Sequence, residues 1–266
     1  MKYFLLLITI FGFYVSNAQL NMEIEKSPNF RTYNNLKNIE GKTFKSNVLF
    51  RSGSISSLMS SDKEKMAKLK LNKIVDFRTD YEVSREPDDT AGLSVQTIRI
   101  PIGNITKESS LTMFSVLNNP NSSENTVDSM MLSFYKNFSE SIHSYKSFFR
   151  VLLEPNSNVL FHCSAGKDRT GIASALLLKA LDFDDDTILD DFMRSNDAVR
   201  GVDLDKMKMY GIPEKYAQIL MKVKPEYLKE AISIINLKYG SLEKMMDTEL
   251  GIGANEKKFL KAKYLN

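Results

Sequence analysis

The decapeptide His162-Cys163-Ser164-Ala165-Gly166-Lys167-Asp168-Arg169-Thr170-Gly171 sets the only cysteine of the chain six positions before an arginine. A thiolate is the nucleophilic form of cysteine, and a planar guanidinium fork fits two phosphoryl oxygens at once. This pairing points to in-line attack of the Cys163 sulfur on a phosphomonoester, with Arg169 as the clamp. Water then hydrolyses the resulting cysteinyl-phosphate. Such a reaction requires neither metal nor cofactor. The bland alternative is a buried structural cysteine beside a surface arginine.

The chemistry needs a loop whose amides converge on one point, and the flanking residues predict one. Val159-Leu160-Phe161 reads as a short buried strand, and the Ala/Leu-rich run from Thr170 to Leu181 as a helix. The turn between them offers the amides of Ser164, Ala165, Gly166 and Lys167 beside a helix amino terminus, a nest suited to a phosphate dianion. The same field, with the charges of Arg169 and Lys167, favours thiolate over thiol at Cys163. Gly166 and Gly171 suit positive φ or close backbone approach. The Thr170 hydroxyl is a donor for the sulfur when it leaves, and His162 is expected to brace the loop through its ring nitrogens.

The leaving oxygen also needs a proton. Asp168, inside the loop, is the favoured donor, with Asp76 and Asp80 near a strand end as alternatives. Asp168 has a second reading, as a carboxylate that only pairs with a neighbouring cation and orders the loop. Arg78 is expected to contact substrate, and Arg51 is a further candidate; both are also suited to structural ion pairs. The two histidines, His143 and His162, leave little for Ser-His-Asp hydrolysis, and His143 is read as a structural or surface residue.

The loop resembles that of the bacterial tyrosine phosphatase-like group within the cysteine-dependent protein tyrosine phosphatase superfamily, His-Cys-x-Ala-Gly-Lys-Asp-Arg-Thr-Gly. Asn29-Phe30-Arg31, Leu49-Phe50-Arg51-Ser52-Gly53 and Ile74-Val75-Asp76-Phe77-Arg78-Thr79 are similar to its N-terminal motifs. Tyr227-Leu228, Tyr239-Gly240-Ser241 and Leu250-Gly251 are similar to its C-terminal helices. Thr32-Tyr33-Asn34 departs from the pattern, standing where an acidic residue and glycines are usual. The resemblance implies a three-layer α/β sandwich, a central sheet flanked by helices, with C-terminal lid-type helices over the site. It implies activity on phosphotyrosine, and also on phosphoserine, phosphothreonine or phosphoinositides in some members. The expected partner is therefore a phosphorylated protein or a small-molecule or lipid phosphate, with inositol polyphosphates as an alternative. A sulfurtransferase and an inert phosphate-binding module are more remote readings.

A chain of 266 residues, 42% of them hydrophobic, is long enough for one substantial core. The net charge of +3 is too small to mark a nucleic-acid binder. Lys2, the apolar run Phe4 to Val15 and Ser16-Asn17-Ala18 read as a secretory signal peptide over residues 1–18, followed by a single phosphatase domain over 19–266. The expectation is export, to a periplasm or beyond, without membrane insertion once the leader is cleaved. A lone cysteine forms no internal disulfide, so packing must stabilise the exported fold.

Further elements follow from pattern. Val48 to Arg51, Lys73 to Phe77 and Val95 to Ile100 read as strands. Ser61-Asp62-Lys63-Glu64 has capping-box spacing for a helix to about Lys70. An amphipathic pattern predicts one long helix from about Asp128 to Leu153, and the Ser/Asn/Thr-rich stretch from Pro101 to Asn125 an ordered loop or lid edge. Asp184-Asp185-Asp186 opens a helical lid or insertion at about 184–221.

Overall fold

The computed structural model of the protein describes residues 23–201 and 211–266. The signal-peptide reading and part of the 184–221 segment lie outside the described residues. Among the described residues, four short strands, β1 (Leu49–Ser52), β2 (Lys73–Asp76), β3 (Gln96–Arg99) and β4 (Val159–His162), form one parallel sheet in the order β1-β4-β2-β3. Parallel neighbours need crossover connections, which here are helical. Helix α1 (Ser60–Lys68) joins β1 to β2, and α2 (Asp80–Arg85) joins β2 to β3. Helices α3 (Lys107–Asn118), α4 (Glu124–Asn137) and α5 (Tyr145–Leu153) lead back to β4. Then follow α6 (Arg169–Ala180), α7 (Asp185–Met193), α8 (Glu214–Met221), α9 (Pro225–Tyr239), α10 (Leu242–Met245) and α11 (Ala254–Tyr264).

Strands β1, β2 and β4 are buried on both faces while the edge strand β3 is largely open to solvent, and the side chains of the other three strands alternate between two cores. Phe50, Ile74 and Leu160 join Leu58, Met66 and Leu69 at α1. Leu49, Val75, Val159 and Phe161 face the larger core with Phe148, Ile172 and Leu176. That alternation gives the three layers expected of the fold. Helix α6 is buried along nearly its whole length, from Arg169 to Ala180, so the loop before it leads into a helix enclosed by the core. No described helix is long and apolar enough to cross a membrane.

Three sequence expectations need correction. The long helix is two, because the stretch 138–144 tightens into the 3₁₀ turns Phe138–Glu140 and Ile142–Ser144. Ser139, Ser141 and Ser144 are weak helix formers, while Phe138 and Ile142 stay buried and so preserve the apolar period across the break. The 101–125 loop contains α3, whose hydroxyls bond back to the helix: Ser110 and Thr112 donate to the carbonyls of Thr106 and Glu108. With Leu117 its one buried residue, α3 has almost no apolar stripe to read. Helix α1 starts two residues early, with Met59 rather than Ser61 at the N-cap, because the Asp62 carboxylate accepts from the Met59 amide at 3.2 Å. In contrast, Asp184 caps α7 as expected, accepting from Thr187 N at 2.7 Å.

Phe148 joins the layers, fully buried with its ring centroid 5.3 Å from that of Phe77 and 4.9 Å from that of Phe161. Phe148→Ala is expected to lower unfolding free energy by about 3–5 kcal/mol in urea titrations.

Candidate active site

The loop from Cys163 to Asp168 leaves the carboxyl end of β4, between β1 and β2, where ligands bind in open α/β sheets. Cys163 is 1% exposed at its base. Gly166 has φ +70°, and a Cβ there would stand 2.4 Å from backbone atoms of Ser52 and Gly53, so no larger residue fits. Its carbonyl accepts from Asn29 Nδ2 at 2.7 Å and Arg51 Nη2 at 2.9 Å, while Ser54 N donates to the Ser164 carbonyl at 2.9 Å. The motifs around Asn29 and Arg51 thus clamp the loop backbone.

Beneath the loop, Arg51 and Arg31 share one carboxylate. Arg51 Nη1 lies 2.6 Å and Arg31 Nε 3.2 Å from Asp191 on α7, which also accepts from Ser174 Oγ. Burial works against the Asp191 charge, but the two guanidiniums outweigh it and hold the carboxyl at about 2. Burial and Arg51 together lower Arg31 to about 10. Two buried cations with one counter-ion leave positive charge under the loop, which favours an anion above it. In the divergent 32–34 segment, the Tyr33 hydroxyl donates to Ser174 Oγ and joins this network.

Arg169 is held end-on by Glu82, a residue the sequence reading did not select. Nη1 and Nη2 donate to Oε2 at 2.7 Å and Oε1 at 2.6 Å, and Ser164 Oγ donates to Oε1. That pairing engages both terminal nitrogens and fixes the plane of the guanidinium. Burial would raise Glu82, but Arg169 and Ser164 hold it at about 2. Desolvation opposes the Arg169 charge, yet Glu82 raises its proton affinity. The sequence did carry a signal: Thr79 caps α2 and Glu82 stands three residues on. Glu82 Oε2 accepts from Thr79 N at 2.9 Å, and Glu82 N donates to Thr79 Oγ1 at 3.4 Å. The capping box therefore fixes the carboxylate that aims Arg169.

The other expected residues divide. His162 is fully buried, with Nδ1 3.4 Å from the Cys163 carbonyl and Nε2 3.2 Å from Asp88 Oδ2, so one ring nitrogen faces the loop and the other faces the segment between α2 and β3. Burial opposes the Asp88 charge, but His162 and Arg78 hold it below the ordinary aspartate range. Asp168 lies at the loop edge, its Oδ1 accepting from Lys167 Nζ at 2.8 Å and from the Tyr135 hydroxyl. Thr170 Oγ1 is buried without a hydrogen-bond partner. His143 is exposed in a turn.

Arg78, expected to contact substrate, is turned into the protein. Its Nε and Nη2 donate to Asp76, Nη2 also to Asp88, and Nη1 to the Glu86 carbonyl at 2.7 Å, so each nitrogen is committed within the protein. Asp76 is bound to that guanidinium and lies 3.4 Å from Arg99 Nε, while Asp80 is 94% exposed beside Arg99. Both alternative acids are paired with arginines outside the loop, whereas Asp168 is part of it. Asp76, Asp88 and His162 bring three ligand atoms within 4.8 Å of one another. Arg78 and Arg99 already neutralise those carboxylates, so the cluster fits guanidinium better than a metal ion. An apolar cavity of about 620 Å³, lined by Ile172, Leu176, Ile188, Leu228 and Ile232, touches none of the loop residues.

The chain matches the tyrosine phosphatase family over residues 22–266 and belongs to it. It is a protein tyrosine phosphatase-like phosphoric monoester hydrolase. It is 28% identical over 229 residues to a Cupriavidus necator protein whose name places it among tyrosine-protein phosphatases, covering 84% of this chain and 82% of that one. It is also 28% identical over 227 residues to the triple specificity protein phosphatase PtpB of Mycobacterium tuberculosis, covering 73% and 82%. Among solved structures, the core catalytic domain of the PP-IP phosphatase Siw14 from S. cerevisiae aligns at a TM-score of 0.34 with 15% identity, over 66% of this chain and 89% of that one. TpbA of P. aeruginosa aligns at 0.31 with 16% identity, over 68% and 89%. The fold assignment rests on the family match and the topology above.

Glu82 ties stability to pH. Its folded value of about 2 lies below that of an unfolded glutamate, so its contribution is present above about pH 4.5 and lost as pH falls toward 2. Glu82→Gln is expected to flatten the decline of the urea midpoint across that window, removing up to about 3 kcal/mol. An unchanged acid limb would show that the pair contributes nothing to folding.

Proposed function

We propose that the protein is an exported, broad phosphomonoesterase acting on phosphotyrosine and related phosphate esters through a cysteinyl-phosphate. The observation that carries this reading is a buried thiol at the base of a clamped loop before a helix amino terminus, with a guanidinium held by its own carboxylate. The Cys163 sulfur attacks phosphorus, the P–O bond to the leaving group breaks, and Asp168 gives that oxygen its proton. Water then attacks phosphorus and returns a proton to Asp168, the S–P bond breaks, and inorganic phosphate leaves. The amides of residues 164–167 and Arg169 stabilise the charge that builds on the phosphoryl oxygens. Ser164, Gly171 and Thr170 complete the cradle. Lys167, bound to Asp168, serves it more directly than it serves substrate.

Phosphate release should be measured for wild type, Cys163→Ser and Asp168→Asn on phosphotyrosine peptide, phosphoinositide, inositol hexakisphosphate and a series of aryl phosphates. Cys163→Ser is expected to abolish turnover on all of them. Asp168→Asn should slow esters with poor leaving groups by about 10²-fold or more while sparing activated ones. Equal losses across the series would reject Asp168 as the acid. Turnover by Cys163→Ser would reject the covalent route, and thiosulfate-dependent cyanide conversion would mark a sulfurtransferase.

Export is the reading of residues 1–18. Expression of the full chain in a Gram-negative host is expected to yield protein outside the cytoplasm whose amino terminus is Gln19. An intact Met1 on cytoplasmic protein would reject it.

A further inference from the structure

Asp168 occupies the position just before the first residue of α6, with φ −87° and ψ −77°. An aspartate there ordinarily folds its carboxylate back onto the first free amides of the helix. Here it caps nothing. Its Oδ1 is drawn outward by two donors, Lys167 Nζ and the Tyr135 hydroxyl. The amides it forgoes border the cradle for the phosphoryl group, so an aspartate that did fold back would be an internal anion competing with substrate.

Lys167 cannot fix this carboxylate alone, because an ammonium on a four-carbon stem is a mobile point charge. Tyr135 can. It projects from α4 and is fully buried, stacked on Tyr227 at a centroid distance of 5.0 Å and set edge-on to Phe192 on α7 at 6.0 Å. Three helices therefore hold one phenol in a single orientation. Burial and the neighbouring Asp168 charge push the Tyr135 hydroxyl well above its ordinary value, so it stays a donor. Both donors meet Oδ1, which leaves Oδ2 as the oxygen free to carry and deliver a proton.

We propose that Tyr135 is a positioning residue: its hydroxyl holds the Asp168 carboxylate out of the phosphate cradle and turns the free Oδ2 toward the leaving group. The first half stands on geometry alone; the second rests on Asp168 as the acid.

The test is a double-mutant cycle with Tyr135→Phe and Asp168→Ala, read by inhibition constants for vanadate and inorganic phosphate and by the leaving-group dependence of kcat. Phe keeps the ring and its stacking while deleting the hydroxyl. Tyr135→Phe is expected to weaken both anions by about fivefold, the scale of one lost hydrogen bond, and to steepen the leaving-group dependence. In the Asp168→Ala background it should change neither. Anion effects that persist in that background would overturn the proposal, as would a Tyr135→Phe enzyme indistinguishable from wild type. Tyr264→Phe, which removes a buried hydroxyl bonded to the Leu152 carbonyl, is the control for generic loss of packing and should leave both readouts unchanged. If Tyr135→Phe does not fold, Tyr135→Met supplies the same deletion. If Asp168→Asn slows all leaving groups equally, the acid assignment fails while the anion half of the cycle still reports on Tyr135.

Discussion

The close approach of Gly166 to the turn after β1 is the constraint on which the site depends. With no Cβ, the loop lies directly on the Ser52-Gly53 backbone, and its carbonyl is taken by Asn29 and Arg51. A loop pinned at its apex has little freedom to reorient before any anion arrives. Preorganised donors lose little reorganisation energy when charge develops in the transition state.

The charges that bear on the loop are arranged in two tiers. Below it, Arg31 and Arg51 share Asp191, and the surplus positive charge acts upward through low-dielectric protein. At its side, Arg169 is matched by Glu82, which neutralises the cation locally but fixes its plane. The lower tier supplies field and the side tier supplies geometry. Asp191 lies on α7 and Glu82 on α2, so two helices far apart in sequence are tied by charge to the arginines that bear on the loop.

Aromatic packing reaches the chemistry by a different route. The ring of Tyr135 belongs to the core, beside Phe138, Phe192 and Tyr227, while its hydroxyl belongs to the loop. Tyr145 behaves in the same way, its ring packed against Phe77 and its hydroxyl donating to the Arg169 carbonyl. An apolar body with one polar tip lets a buried residue serve stability and positioning together.

The sequence by itself determined the local parts: the Cys-to-Arg loop, the strands around it, the α6 that follows, the Asp184 cap and the family. Each is written in contiguous residues whose spacing, propensity and turn chemistry act over a few positions. The tertiary structure decided which partners those parts meet. Glu82 reaches Arg169 across 87 positions, Tyr135 reaches Asp168 across 33, and Arg51 reaches Asp191 across 140. Arg78 is turned inward by nearer partners, Asp76 two positions back and Asp88 ten positions on. An amphipathic stripe or a capping box records how a segment folds on itself, but the far end of a buried polar side chain finds its partner only when separate elements pack together.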